Sequence, residues 1–291
     1  MKQSDSTGDD ILDRPITAAE QHAAMSETFG KEYAERFSDP VVFLRRRLNS
    51  PAAIQFYKRE FPLVSRTLHL ESVYRRRREF SQDVLDAFAA LSAKKLEDIL
   101  RMLQLNAERL QKLCKTNASG ETAVYLHPEY KVVPIIAAGS RSYMTGLDRL
   151  DEVYTLTGQA TLNGLIDGNQ RKSAELLCRK AVRAYSAMVR TESIKLRKEV
   201  QRLSAANSAA PDPEMTHAEQ ALDSAVQEFD QVVADEAVHD PANHVLGESA
   251  ADLISDMAAT TAAAANAKKP RVSKKATTAE PVAAPAGAAG A

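Results

Sequence analysis

The change of hydrophobic period between residues 130 and 203 limits what this chain can fold into more than any other feature. Residues 130–136 (Tyr-Lys-Val-Val-Pro-Ile-Ile) are rich in β-branched side chains and read as a short strand. From Tyr143 the apolar positions recur at helical steps through Leu147, Leu150, Tyr154 and Thr157 to Leu165. Gly164 and Gly168 bracket a turn. Asp167, with Gln170 three residues on, then forms a capping box that starts a second helix.

That second helix is strongly cationic, with ten Lys or Arg between Arg171 and Arg202 against three Glu. Lys172, Arg179, Arg183, Arg190 and Arg197 step by 7, 4, 7 and 7 residues, so they return to nearly one angle and form a stripe. Leu177, Ala181, Tyr185 and Met188 fall on another face and are expected to pack inward. A stripe of this length suits the repeated phosphates of a nucleic-acid backbone. It equally suits an acidic surface, and residues 203–267 supply one, with twelve Asp or Glu and no Lys or Arg. The net charge of −1 decides nothing between the two; the distribution does.

The rest of the chain reads as mainly helical. Residues 1–16 are polar and without period, and are expected to be disordered. Thr17 and Glu20 make a capping box before Met25, Phe29, Tyr33 and Phe37 at four-residue steps. Short helices are expected from Asp39-Pro40, carrying Arg45, Arg46 and Arg47, and from Ser50-Pro51. Residues 67–74 alternate loosely and suggest a strand, followed by Arg75, Arg76, Arg77 and Arg78. These four arginines are either a solvated face or a second contact with the anionic partner.

Ser81 opens a long helix pattern in which Phe88, Leu96, Ile99, Leu103, Leu110 and Leu113 share a stripe with Ser92 and Asn106. Such a seam serves either a coiled-coil dimer or packing inside the chain. Residues 122–127 and 130–136 flank Pro128-Glu129 and read as a β-hairpin or bent strand, with Pro134 favouring an edge. Beyond a linker, Thr216 and Glu219 cap an amphipathic acidic helix with Leu222, Val226, Phe229 and Val233 on its apolar side. Residues 268–291 form an Ala/Pro tail with a few cations, expected to be disordered.

Catalytic patterns are weak. The six histidines have no metal-ligand spacing, and no phosphate-cradling glycine loop or nucleophile elbow occurs, so an enzyme and a cofactor are not expected. The two cysteines, Cys114 and Cys178, lie in helical patterns and read as reduced thiols. No secretory signal or membrane span is evident, and the expected location is cytoplasmic. Few aromatics are available to stack single-stranded bases, which favours duplex DNA over RNA.

Residues 147–153 (Leu-Asp-Arg-Leu-Asp-Glu-Val) and 171–185, from Arg171 to Tyr185, resemble the two helices of ribbon-helix-helix DNA-binding proteins. The resemblance implies that strand 130–136, with Lys131, pairs with a dimer mate in the major groove. It also implies a backbone phosphate near Asn169, Gln170 and Ser173. The turn between Thr155 and Gly168 is longer than that family's, and Pro134 interrupts the ribbon.

Residues 91–203, through Ser142-Tyr143, Asp151, Gly164-Leu-Ile166 and the Arg-rich helix, further resemble the AcaB-like transcriptional regulators of conjugative plasmids and integrating conjugative elements. This implies a non-enzymatic DNA-binding regulator or accessory protein of a mobile element. The expectation is therefore a mainly α fold: a helical DNA-binding and dimerisation domain over 17–204 with a small β-hairpin or ribbon and a ribbon-helix-helix-like core. An acidic appendage over 205–267, open to a protein partner, and a basic tail over 268–291 complete it. The alternative is a helical scaffold of a conjugation or plasmid-maintenance system whose basic helix meets a protein.

Overall fold

A computed structural model describes residues 9–76, 80–117 and 122–207, together with 219–220, 222–223 and 226–227. Arg77, Arg78, the basic tail and most of the acidic stretch, including Phe229 and Val233, lie outside the described residues.

The fold is mainly helical with a small antiparallel β element, as expected. In chain order it comprises α1 (Asp9–Asp13), α2 (Ala18–Phe29), α3 (Lys31–Arg36), β1 (Val42–Leu48), α4 (Pro51–Arg59), α5 (Phe61–Arg75), α6 (Gln82–Asn117), β2 (Glu129–Ile135), α7 (Ala138–Leu162) and α8 (Gly168–Asn207). α7 packs against α4, α5, α6 and α8, so the helix following β2 is the hub of the core. Its stripe of Tyr143, Leu147, Leu150, Tyr154 and Thr157 is buried. At its start α7 approaches α5 closely: a Cβ on Gly139 would sit 2.8 Å from Leu68 Cδ1.

Both expected capping boxes are present. Thr17 and Glu20 bond reciprocally at the start of α2. Arg45 then reaches across to Glu20 at 2.9 Å and to the carbonyl of Arg14 at 3.0 Å. The four-residue aromatic ladder is split between two helices by Gly30, whose φ of 84° only glycine adopts without strain.

Several local expectations are corrected. Residues 9–13, within the stretch expected to lack order, form α1. The three arginines Arg45, Arg46 and Arg47 lie on strand β1 rather than on a helix. β1 pairs with β2 from Val42 opposite Ile135 to Leu48 opposite Glu129. The β element thus joins two distant parts of one chain. Residues 122–127 are not its second strand, and the ribbon is closed within the chain rather than by a dimer mate. Residues 67–74 are helical, within α5, because that helix is buried nearly all round from Phe61 to Leu70 and shows no one-sided pattern.

The α6 seam is spent inside the molecule. Leu96, Leu103 and Leu110 are buried in the common core, Ser92 Oγ lies 2.8 Å from Tyr185 Oη, and Asn106 Nδ2 donates to Met102 Sδ and Cys178 Sγ. Both cysteines are free and buried. None of the described helices is long and apolar enough to cross a membrane.

Candidate nucleic-acid interface

The turn into α8 is set by residues that sequence already marks. Leu165 N donates to Ala160 O and Gly164 N to Thr161 O, which closes α7 in a Schellman motif, with Gly164 at φ 65°. Asp167 Oδ1 then accepts from the backbone N–H of Asn169 and of Gln170, each at 2.8 Å. Gln170 Oε1 accepts from Asp167 N at 2.9 Å. The donors expected to hold a phosphate at Asn169 and Gln170 are therefore directed at a carboxylate of the chain itself. Ser173 is half-buried beside them.

α8 buries Cys178, Val182, Tyr185, Val189 and Leu196 against the core. Of the residues expected to face inward, Tyr185 does so, while Leu177, Ala181 and Met188 are half-buried. The helix is rolled relative to that expectation, and the cation stripe consequently lies on its flank: Lys172 is exposed, whereas Arg179, Arg183, Arg190 and Arg197 are half-buried.

Two stripe residues are drawn into the structure. Arg183 Nε lies 3.5 Å from Glu60 Oε1, and its guanidinium sits over the Phe56 ring, 5.5 Å from the centroid. Glu60 is buried and also accepts from Ser186 Oγ at 2.5 Å and from Tyr143 Oη at 3.3 Å. Burial pushes the Glu60 carboxyl up, against the pull of Ser186, Arg183 and Tyr143. Arg197 grips Asp223 through both terminal guanidinium nitrogens, with Nη2 to Oδ2 at 2.6 Å. Arg179 and Arg190 have interactions of their own.

Two further cations lie off that stripe, the half-buried Lys180 and the exposed Lys198. Lys172, Lys180 and Lys198 form no ion pair among the described residues, while Lys195 and Arg202 reach only back to Glu192 and Glu199 on the same helix. Lys180 and Lys198 are eighteen residues apart, about five full turns, so they share one angle. That spacing was readable in the sequence.

The other described cations singled out from sequence lie on other elements and are engaged within the chain. Lys131 bridges Glu27 at 2.5 Å and Glu129 at 3.5 Å. Arg75 pairs with Glu71 and Asp86, and Arg76 with Asp39. Arg46 pairs with Asp148 at 3.1 Å, and Arg47 lies over Tyr130. No group of three or more His, Cys, Asp or Glu among the described residues is placed to hold a metal.

No protein-family model and no curated protein matches this chain. Among solved structures it is similar to the crystal structure of selenomethionine-containing AcaB from uropathogenic E. coli, at 20% identity and a TM-score of 0.52. The match covers 63% of this chain and 100% of that one. At that identity the likeness is one of fold: a chain of AcaB's length is contained within this one, which adds further residues.

Proposed function

We propose that this chain is a non-enzymatic DNA-binding protein of a bacterial mobile genetic element, acting in transcription control or as an accessory factor, with α8 as its nucleic-acid surface. The observation that carries the reading is the charge of α8: ten cations against three acids on one continuous helix, three of the lysines without an ion pair among the described residues. From Lys172 to Arg202 the helix extends about 45 Å, more than one turn of a duplex at about 34 Å. Its cations occupy two rows, the flank stripe and a second row through Lys180 and Lys198. Rows about 80° apart round the axis make one broad cationic face, which suits a phosphate backbone.

The likeness of fold to AcaB and the resemblance of residues 91–203 to regulators of conjugative elements support the biological setting. Lys131, Arg75 and Arg76 contribute less in this reading, since each is already paired. Pairing of two copies, which is part of the proposal, uses a surface other than the α6 seam.

A gel shift of the full chain with random-sequence duplex at two salt concentrations tests the reading. Binding that weakens steeply with salt is expected. Absence of binding at low salt would hand first place to the second reading, a basic helix facing an acidic protein surface. One observation favours that alternative: Arg197 holds Asp223 of the chain's own acidic stretch.

A further inference from the structure

The described residues of the acidic stretch lie against the distal part of α8. Leu222 is fully buried and belongs to the main core, and Val226, four residues on, packs against it. Asp223, next to Leu222, engages both terminal nitrogens of Arg197, and Glu219 Oε1, three residues before Leu222, accepts from Tyr74 Oη at 2.7 Å. Residues 219, 222, 223 and 226 thus place two apolar anchors and two carboxylates on one helical face. The Arg197 side chain is left 17% exposed.

We propose that Glu219, Leu222, Asp223 and Val226 act as an intramolecular strap that competes with nucleic acid for the Arg197 end of the cationic helix. The inference rests on the DNA-binding reading and names a control of that same surface. A guanidinium fork that chelates a carboxylate cannot present the same two N–H groups to a phosphate. Glu219 and Asp223 also set negative charge where a phosphate would approach. Leu222 holds the strap without drawing on charge, so the cover persists at salt concentrations that weaken ion pairs. Nucleic acid gains Arg197 only when Leu222 leaves its site.

The test uses the full chain and two variants, Leu222→Ser with Asp223→Asn, and Leu222→Asp with Val226→Asp. Hydrogen exchange reads the strap without reference to DNA: protection of residues 219–226 should fall in both variants while that of α7 is kept. Affinity for random duplex should rise about threefold to tenfold, and the plot of log affinity against log salt should steepen by about 0.9, the contribution of one added phosphate contact. Adding Arg197→Gln to either variant should remove that extra steepness. Strap release with unchanged or weaker DNA binding overturns the competition and leaves the DNA reading standing. Protection retained in both variants overturns the anchoring role of Leu222, and with it the strap. Absence of DNA binding in every form overturns the DNA reading together with this inference.

Discussion

Arg183, on the flank of the cationic helix, lies against the buried carboxylate of Glu60, 123 residues earlier in the chain. The contact ties α8 to the start of α5 and sets a structural residue inside what the sequence presents as a uniform stripe. Arg183→Gln should lower stability by about 1–3 kcal/mol in urea unfolding, because Glu60 loses a charged partner at a buried site. The loss should be smaller in acid. Burial raises the folded-state pKa of Glu60 above its unfolded value, so the folded protein takes up the proton first. Stability then falls as pH rises from the unfolded value through the folded one. Glu60→Gln should flatten that dependence. An Arg183→Gln cost that is equal at both ends of the range would remove Glu60 from the account.

A half-buried carboxyl, that of Asp148, gives a defined window. Asp148 is pushed up to about 6 by burial, with Arg46 pulling the other way. The unfolded group titrates near about 4, so the protonated form is favoured on folding and stability declines between about pH 4 and pH 6. Asp148→Asn should gain on the parent across that interval by about 1–2 kcal/mol, allowing for partial screening by solvent. Parallel unfolding curves from pH 4 to 7 would show that the site does not couple to folding.

At the N-terminal end the sign reverses. The backbone N–H of Thr17, followed by Arg45, holds the Glu20 carboxyl down at about 2. Its contribution is present above the unfolded carboxylate value and is lost as pH falls toward 2. Thr17→Ala should cost about 1 kcal/mol at neutral pH. The cost should shrink in acid as Glu20 protonates and the reciprocal bond weakens, which thermal melts at pH 7 and about pH 2 would read.

Much of this architecture was legible because it is local. Thr17 with Glu20, and Asp167 with Gln170, announce helix starts within four residues, and the stripes of α6 and α7 are one-sided enough to be read directly. Two stretches exchanged their identities. Arg45, Arg46 and Arg47 look helical in isolation, yet they form a strand because the partner lies at 129–135 and because Glu20 and Asp148 answer two of the charges. Residues 67–74 look extended because α5 is buried on nearly every side and loses the one-sided pattern. The angle of α8 was missed for a related reason. Whether Arg183 faces solvent or core depends on Glu60, which no local window contains.

The same distinction governs the α6 seam. Leu103 is fully buried, and Asn106 turns to Met102 and Cys178 of the same chain. Leu103→Ala should therefore cost about 2–5 kcal/mol in stability. Its sedimentation behaviour under native conditions should match the parent's. A change in association state at unchanged stability would return the seam to an interface between copies.

The most direct measurement of the central claim uses three lysines of α8 and spares the residues that hold the fold. Lys172, Lys180 and Lys198 have no ion pair among the described residues, and Gln keeps good helix propensity at each position. Affinity of the full chain for random duplex should be measured across a range of salt, for the parent and for the variant with all three lysines replaced by Gln. If each lysine meets a phosphate, binding weakens on all sequences alike and the slope of log affinity against log salt becomes shallower by about 2.7. An unchanged slope, with circular dichroism and melting identical to the parent's, would contradict the claim that α8 faces DNA.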